Sequence, residues 1–569
     1  MKICFIWIDR YRNFKDFGFN LSSSIKFKFD QKDNLLIKKD IDDLPNDFFG
    51  NQIVDVVGVI GKNGSGKSNA IELICNALKN PKTTIQSDFL IITESNNSYT
   101  CHYSFNNRNK PKAKFKIELK DYDGSINPLK VVFFSNVFDE RRNDFGSDIT
   151  DISVNNLYNR NMLFRRNKVT DFEKQVRLIN SKIFSSLNID IPEKIQFTSK
   201  VWRNRFNSSM ERNLYREGYS NIKDFQKFYR DRLREIKPEN KFIHLLRFGY
   251  FFEIIYQISR QSRTNYNLYD KLLKDINDFI SEMFKLRTEE ISENLILFLE
   301  RNLIKSYDGQ FSLFSDIKSE RTKTSTIKNL ESQLHFLKTI KRDLDFLNLE
   351  YSVEGSGSRA LEYFTFDYNS IKAKNFINEF ISLFATINIF DVNWLGISSG
   401  HKAYINLFAS LFQELKFSRT YNLLLCIDEG DLYLHPKWQI EFFDKLLNVL
   451  PNIYSGNIQL ILSSHSPFLL SDLPNQNITI LDKNFENSSI DGIDLPINTF
   501  GGNLYDLYAE PFFLDNKRTS DFAYKKTKEI ISIVESGGLN KKKSSELLKV
   551  IELIGDDIIK YRLKNQLSE

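Results

Sequence analysis

The feature that most constrains this chain is Gly61-Lys62-Asn63-Gly64-Ser65-Gly66-Lys67-Ser68, which reads G-x-x-x-x-G-K-S and directly follows the run Ile53–Ile60. An apolar run of that length predicts a buried strand. The glycines let the following turn close its backbone N–H groups around a phosphate chain. Asn69 to Leu78 then places Ala70, Ile71, Leu73, Ile74, Ala77 and Leu78 at helical spacing. The turn therefore opens a helix, whose positive end faces the same phosphates. In that arrangement Lys67 reaches the β and γ phosphates, and the Ser68 hydroxyl ligates Mg²⁺. Gly61, Asn63, Gly64, Ser65, Gly66, Lys67 and Ser68 are the expected nucleotide-binding residues, with ATP and Mg²⁺ as the expected cofactors.

Composition bounds the rest. At 569 residues the chain exceeds one compact core, so two or three domains are expected. Lys and Arg number 79 against 73 Asp and Glu, a balance that makes nucleic-acid binding a question of local patches. Cys4, Cys75, Cys101 and Cys426 are scattered without a C-x-x-C pair. That pattern indicates neither a disulfide framework nor a zinc site, and suits a reducing cytosol. The apolar run Ile3–Ile8 is too short for a signal peptide. Phe242 to Ile258 is interrupted by His244, Arg247 and Glu253, so a buried helix is expected there and not a membrane span. The expectation is a cytoplasmic protein with no membrane partner.

Texture divides the chain. Residues 1–150 carry short β-prone runs at Ile3–Ile8, Ile25–Phe29, Leu35–Lys39, Tyr99–Phe105, Lys114–Leu119 and Val131–Phe134. Residues 151–355 read as a helical insertion of long charged segments. One of these, Thr326 to Asn348, carries Ile327, Leu330, Leu334, Leu337 and Leu344 at a/d-like spacing, which supports a helical hairpin. Gly355-Ser356-Gly357-Ser358 has the composition of a flexible joint. Strand and α/β texture return over 356–500, and 501–569 forms a helical tail. The expected fold class is α/β: a P-loop head with a mixed sheet and flanking helices, split by the insertion.

Three later segments specify the chemistry. Leu423-Leu424-Leu425-Cys426-Ile427 predicts a buried parallel strand ending in Asp428 and Glu429, at the sheet edge where α/β folds place their sites. Asp428 would hold Mg²⁺, and Glu429 would orient and deprotonate the attacking water. Ile397-Ser398-Ser399-Gly400-His401-Lys402 leads into a helical pattern over Ala403–Leu415. Read one way, its small residues and helix dipole meet a phosphate; read the other, it is an ordinary Ser helix cap. Ile458–Leu462 ends in Ser463-Ser464-His465-Ser466-Pro467, where an imidazole could bond a γ-phosphate. Each segment alone is weak. Their order matches that of an ABC-type ATPase: P-loop, signature, acidic strand, D-loop at Gly430–Pro436, strand-end His.

The resemblance narrows further. Asp428-Glu429-Gly430-Asp431-Leu432-Tyr433-Leu434-His435-Pro436-Lys437-Trp438-Gln439 resembles the D-E-G-x-x-x-L-H-P-x-W-Q run of stand-alone bacterial ABC ATPases related to RecF, SMC and OLD proteins. Ser463 to Pro474 fits the same group. Thr499-Phe500-Gly501-Gly502-Asn503-Leu504-Tyr505-Asp506-Leu507, with Phe512-Phe513-Leu514, resembles the tail of Septu-type PtuA anti-phage ATPases. The likeness covers both halves of the head and says little about 151–350. It implies Lys67 and Ser68 for phosphate and Mg²⁺, Asp428 for Mg²⁺, Glu429 as catalytic base and His465 as γ-phosphate sensor. Ser398, Ser399 and Gly400 would act in trans, in a head-to-tail dimer. Two positions depart from the pattern. His401 stands where Gln or Glu is usual, and no Q-loop glutamine is visible, leaving Ser135 or Asn136 for that role. Arg12-Asn13-Phe14-Lys15 resembles the N-F-R/K stretch that approaches the nucleotide in RecF-like heads, and equally reads as a solvated loop.

The resemblance implies a regulatory ATPase subunit of an anti-phage complex, with a separately encoded nuclease such as an HNH protein as partner. No H-N-H arrangement is present, and few of the six His residues remain outside the ATPase motifs. Nucleic acid is a candidate partner through residues 158–235, where arginines alternate with Tyr158, Phe164, Trp202, Phe206, Tyr215 and Phe228. Interspersed acids give the same segment the character of a solvated helical face. Two alternatives stay open: a RecF- or SMC-like repair ATPase acting directly on DNA, and a nucleotide-gated scaffold with little hydrolysis.

Overall fold

The structure, a computed structural model, describes residues 1–42, 44–45, 47–62, 64–79, 85–106, 108–137, 143, 145–154, 169–202, 221–261, 266–304, 320–355, 360–384, 387, 389–418, 421–481, 490–509, 520–537 and 541–568. The N-terminal part runs β1 (Lys2–Tyr11), β2 (Phe14–Asn20), β3 (Ile25–Asp30), β4 (Leu35–Asp40), β5 (Ile53–Gly61), α1 (Lys67–Leu78), β6 (Phe89–Ser95), β7 (Ser98–Ser104), β8 (Lys112–Ala113), β9 (Glu118–Asp121), β10 (Lys130–Ser135) and β11 (Ile149–Asp151). The middle contains α2 (Asp171–Ile179), β12 (Lys194–Ser199), α3 (Pro238–Gln261), α4 (Glu320–Leu344), β13 (Glu350–Glu354), β14 (Leu361–Asp367), α5 (Ile371–Phe384) and β15 (Phe390–Leu395). Then follow α6 (Ser399–Leu415), β16 (Asn422–Asp428), α7 (Pro436–Ile453), β17 (Asn457–Ser464), β18 (Ile478–Leu481) and β19 (Ile490–Asp491). The tail carries α8 (Asp521–Ser536), α9 (Lys541–Ile551) and α10 (Asp557–Ser568).

A mixed sheet in the order β11-β10-β16-β17-β5-β18-β19 organises the head. All its pairings are parallel except β18 with β19. Parallel strands are covered on both faces, which is why β5, β16 and β17 read as mostly apolar runs, broken in β5 by the buried Asp55 and in β17 by the buried Gln459. Val56 and Ile60 of β5 enter one core with Leu423, Leu425 and Ile427. Val57 and Val59 enter the opposite core with Leu424, Cys426 and helix α1. All six apolar positions expected on α1 are fully buried, between this sheet and the five-stranded sheet containing β1, β2 and β6.

Three sequence expectations change here. Lys114–Leu119 does not form one strand. The chain pairs only at β8 and β9, which belong to different sheets, so the intervening residues cross between them. The insertion is not wholly helical, because β12 sits between β14 and β15 in a four-stranded sheet. Its alternation of buried Ile195 and Phe197 is too brief to stand out in charged surroundings. Finally, β13 and β14 pair antiparallel, Glu354 with Leu361, so the boundary drawn at 355/356 falls between two paired strands; beyond Gly355, the joint expected at Gly355-Ser356-Gly357-Ser358 lies outside the described residues.

The helices behave as their patterns require. Phe242, Leu245, Leu246, Tyr250 and Phe251 of α3 are fully buried. Leu334, Leu337 and Leu344 of α4 enter the same core. Among the described residues no helix is long and apolar enough to cross a membrane. His244, on α3, is buried with its Nδ1 2.9 Å from Tyr229 Oη. Burial, reinforced by Arg247, lowers its pKa from 6.5 to about 4. A depressed histidine contributes stability that is complete above pH 6.5 and is lost as pH falls towards 4, because the unfolded chain binds the proton first. Acid unfolding of the wild type should therefore show roughly 3 kcal/mol of pH-dependent loss in that window, which His244→Gln should remove. Identical pH profiles for the two chains would contradict this.

Candidate nucleotide site

Parallel strands deliver their C-terminal ends to one edge of the sheet, so residues distant in sequence meet there. β5 ends at Gly61, where a Cβ would lie 2.3 Å from Leu481 O and 2.5 Å from Ser65 Oγ. Only glycine fits. Gly64 and Gly66 take left-handed φ values of 75° and 98°, which L side chains resist. Asn63 lies outside the described residues. Lys67 begins α1 and folds back over the loop: its Nζ is 3.0 Å from Gly61 O, 3.4 Å from Lys62 O and 3.2 Å from His465 Nδ1. Burial lowers the Lys67 pKa to about 8, against the pull of Glu429 and Asp428.

The acidic strand lies two strands away, with β17 between. Its register sets Asp428 beside Ser135 of β10 and Ser463 of β17. Ser463 Oγ donates to Asp428 Oδ1 at 2.5 Å and Ser135 Oγ reaches Oδ2 at 3.5 Å, while the Ser68 hydroxyl lies near enough to the same carboxylate to lower its pKa. Burial pushes the Asp428 pKa up, opposed chiefly by the Ser463 and Ser68 hydroxyls. Ser68 and Asp428, 360 positions apart, are thus brought to the same edge of the sheet, and a hydroxyl and a carboxylate are the oxygen donors a hard cation takes.

Glu429 turns the chain out of the strand with a left-handed φ of 50°. Its N–H donates to Ser463 O at 3.1 Å, and its Oε1 lies 2.9 Å from His465 Nε2. The His465 hydrogen bond is the main reason the Glu429 pKa is lowered. An ammonium can only donate, so Nδ1 of His465 accepts from Lys67 and Nε2–H donates to Glu429. The imidazole therefore links the phosphate-loop lysine to the acidic strand.

Tertiary packing adds neighbours that the motifs leave open. The Arg12–Asn13 turn of the β1–β2 hairpin packs on the P-loop: the Asn13 amide occupies the space where a Gly66 Cβ would sit, 2.5 Å away. Asn69 Nδ2 donates to Asn13 Oδ1 at 2.7 Å, and Arg12 pairs with Glu72 at 2.7 Å. Of the two Q-loop candidates, Ser135 touches Asp428, whereas the Asn136 amide is committed to Leu432 O at 2.8 Å. Asp431 accepts from Ser464 Oγ at 2.6 Å, which fixes the loop after Glu429 to the strand bearing His465.

Ser398 caps α6, its Oγ accepting from His401 N at 3.1 Å. A Cβ at Gly400 would meet Tyr433 O at 2.7 Å, so the start of α6 is seated directly on the loop after Glu429. The His401 ring stands edge-on to Trp438 at 5.2 Å, and burial lowers its pKa. His401 thus packs inward, where the usual Gln or Glu is polar. Within the chain, Ser398, Ser399 and Gly400 are joined to the D-loop, and Lys67, Ser68, Asp428, Glu429 and His465 to one another.

The residues present fit a nucleoside triphosphate with Mg²⁺. Ser65 Oγ is buried without a hydrogen-bond partner among the described residues, inside a loop of left-handed glycines. One carboxylate and one hydroxyl are the sparse ligand set that Mg²⁺ takes when phosphates and water complete its shell.

Comparison with known proteins places the chain among ATPases. The chain is similar to the Retron Vc95 probable ATPase of Vibrio cholerae serotype O1 biovar El Tor, 25% identical over 228 residues, 39% of each chain. It is similar to the Retron Ec83 probable ATPase of Escherichia coli, 27% identical over 191 residues, 31% of this chain and 33% of that one. It is also 31% identical over 121 residues to the Septu protein PtuA of Bacillus mycoides, 21% of this chain and 16% of that one. The aligned part spans about two fifths or less of the length of these curated relatives. The family model described as "AAA domain, putative AbiEii toxin, Type IV TA system" matches residues 56–471, from within β5 to just past His465, and the chain belongs to that family.

Proposed function

We propose that this chain is an ATP-hydrolysing, Mg²⁺-dependent ATPase of ABC-type geometry that serves as the regulatory subunit of an anti-phage defence complex. The observation that carries the reading is the link Lys67–His465–Glu429 beside the Ser68–Asp428 pair, all at one edge of one sheet. Gly61, Gly64, Ser65 and Gly66 wrap the phosphates, and Lys67 neutralises the β and γ groups. Mg²⁺, when bound between Ser68 and Asp428, supplies charge neutralisation at the phosphates. Glu429 orients a water and accepts its proton, and its lowered pKa keeps it ionised for that task. His465 positions the Glu429 carboxylate and couples it to Lys67, so it registers the γ-phosphate.

Ser398, Ser399 and Gly400 face the nucleotide of a second copy, in a head-to-tail dimer. The seating of Gly400 on the D-loop supports this, since that contact would carry movement of the opposite nucleotide to Glu429. Similarity to retron and Septu ATPases supports the defence setting, and the family resemblance supplies the expectation of a separately encoded nuclease partner.

Sedimentation of the Glu429→Gln chain tests the arrangement. With Mg-ATP it should move from monomer to dimer, and Gly400→Asp in the same background should stay monomeric. A dimer indifferent to nucleotide, or unaffected at Gly400, would remove the trans assignment.

A further inference from the structure

We propose that the cleft at the C-terminal end of α6 is a second ligand site, built for a nucleotide unit: an aromatic base with its phosphate. The cleft has a volume of ≈ 320 Å³, the size of a small-ligand pocket. Its walls come from the end of α2 (Arg177, Asn180), from α5 (Asn378) and from the end of α6 with the residues after it (Phe412, Gln413, Lys416, Phe417). A 17-residue helix is about 25 Å long, so this end of α6 is well separated from Ser398 at its start. The site is distinct from the P-loop and does not depend on hydrolysis there.

Hydrogen bonding leaves the cleft rich in donors. Gln413 Oε1 accepts from Arg177 at 2.9 Å, and Asn378 Oδ1 accepts from Asn180 Nδ2 at 3.2 Å. Asn180 Oδ1 is taken by Tyr368 Oη at 3.1 Å. The amide oxygens are thus spent, while the amide nitrogens of Asn378 and Gln413 have no acceptor among the described residues. Arg177 is held by Glu173, at 2.5 Å, as well as by Gln413. Lys416 has no carboxylate partner among the described residues and sits over the Phe412 ring at 4.6 Å, 5.7 Å from that of Phe417. No carboxylate lines the cleft, so a metal ion is not its ligand.

Donors and cations suit an anion, and the aromatics specify what kind. Phe417 is 75% exposed. The Phe417 ring, left in water at the wall of a cationic, donor-lined cleft, forms a stacking platform next to a phosphate subsite, the pairing by which proteins hold nucleotide units. A free nucleotide and the end of a single strand share this chemistry.

The test uses the full chain with its P-loop saturated by a non-hydrolysable ATP analogue and Mg²⁺. Fluorescence anisotropy with a 5′-labelled thymidine hexanucleotide measures strand binding, and unlabelled AMP serves as competitor. Phe417→Ala should weaken binding by about 5- to 150-fold, the range found for loss of one base stack. Lys416→Gln, at an exposed position, should weaken it and lower its salt dependence. Competition by AMP would assign the site to free nucleotides as well as strands. Strand binding that AMP leaves unchanged, yet Phe417→Ala abolishes, would assign it to strands. Failure of both probes to bind, or wild-type binding by both variants, would overturn the proposal. Thermal melts of both variants confirm that each remains folded.

Discussion

Glu429→Gln should lower phosphate release by about 10²- to 10⁴-fold, the range for loss of a general base, while ATP affinity stays within a few-fold of wild type. The substitution is close to isosteric. A glutamine oxygen can still accept from His465 Nε2, at the 2.9 Å contact the carboxylate makes, and the backbone N–H of residue 429 keeps its bond to Ser463. What disappears is basicity. Steady-state phosphate release with and without Mg²⁺, alongside equilibrium ATP binding, separates the two quantities. Equal rates for variant and wild type would leave a nucleotide-gated scaffold as the better account of this chain.

Lys67→Ala should act at the other step. The ammonium supplies the Gly61 and Lys62 carbonyls and His465 Nδ1 with their donor, and it is the cation of the phosphate loop. Removing one partner of a buried charge pair costs about 2–5 kcal/mol, so ATP affinity should fall roughly 30- to 5,000-fold. Lys67→Arg should rescue little, since a planar guanidinium cannot replace a point charge in a loop with no space beside Gly61. The readout is the rise in melting temperature on adding Mg-ATP, expected in wild type and lost in both variants. A variant still stabilised by Mg-ATP would show that the lysine is not part of the binding site.

The two variants differ in how visible their residues are in the amino-acid sequence. Lys67 is legible there because a phosphate loop is local. Its strand, turn and helix occupy consecutive residues, and each obeys a rule of spacing or backbone freedom. Asp428 and Glu429 are almost as visible, since a buried parallel strand has an apolar signature and its C-terminal end is where chemistry collects. The signature is ambiguous for a sound reason: a Ser-Ser-Gly helix start caps a helix whatever else it does, and Ser398 does cap α6. The Arg12–Asn13 turn is ambiguous in sequence, reading equally as a nucleotide-approaching stretch and as a solvated loop, because its contact with Gly66 comes from a different sheet and leaves no local pattern. β12 escapes notice because six alternating residues are outweighed by the charged helices around them.

By itself, the sequence determined the α/β class, the strand–loop–helix that can wrap phosphate, and the order of the motifs that follow. Those depend on interactions within a few residues, where side-chain periodicity and glycine conformation decide the outcome. Tertiary structure alone decided which side chains meet. Lys67 reaches His465 across 398 positions, and Ser135 reaches Asp428 across 293, because parallel register aligns the ends of β5, β10, β16 and β17. Register is set by the packing of both sheet faces at once, and no local stretch of sequence encodes that.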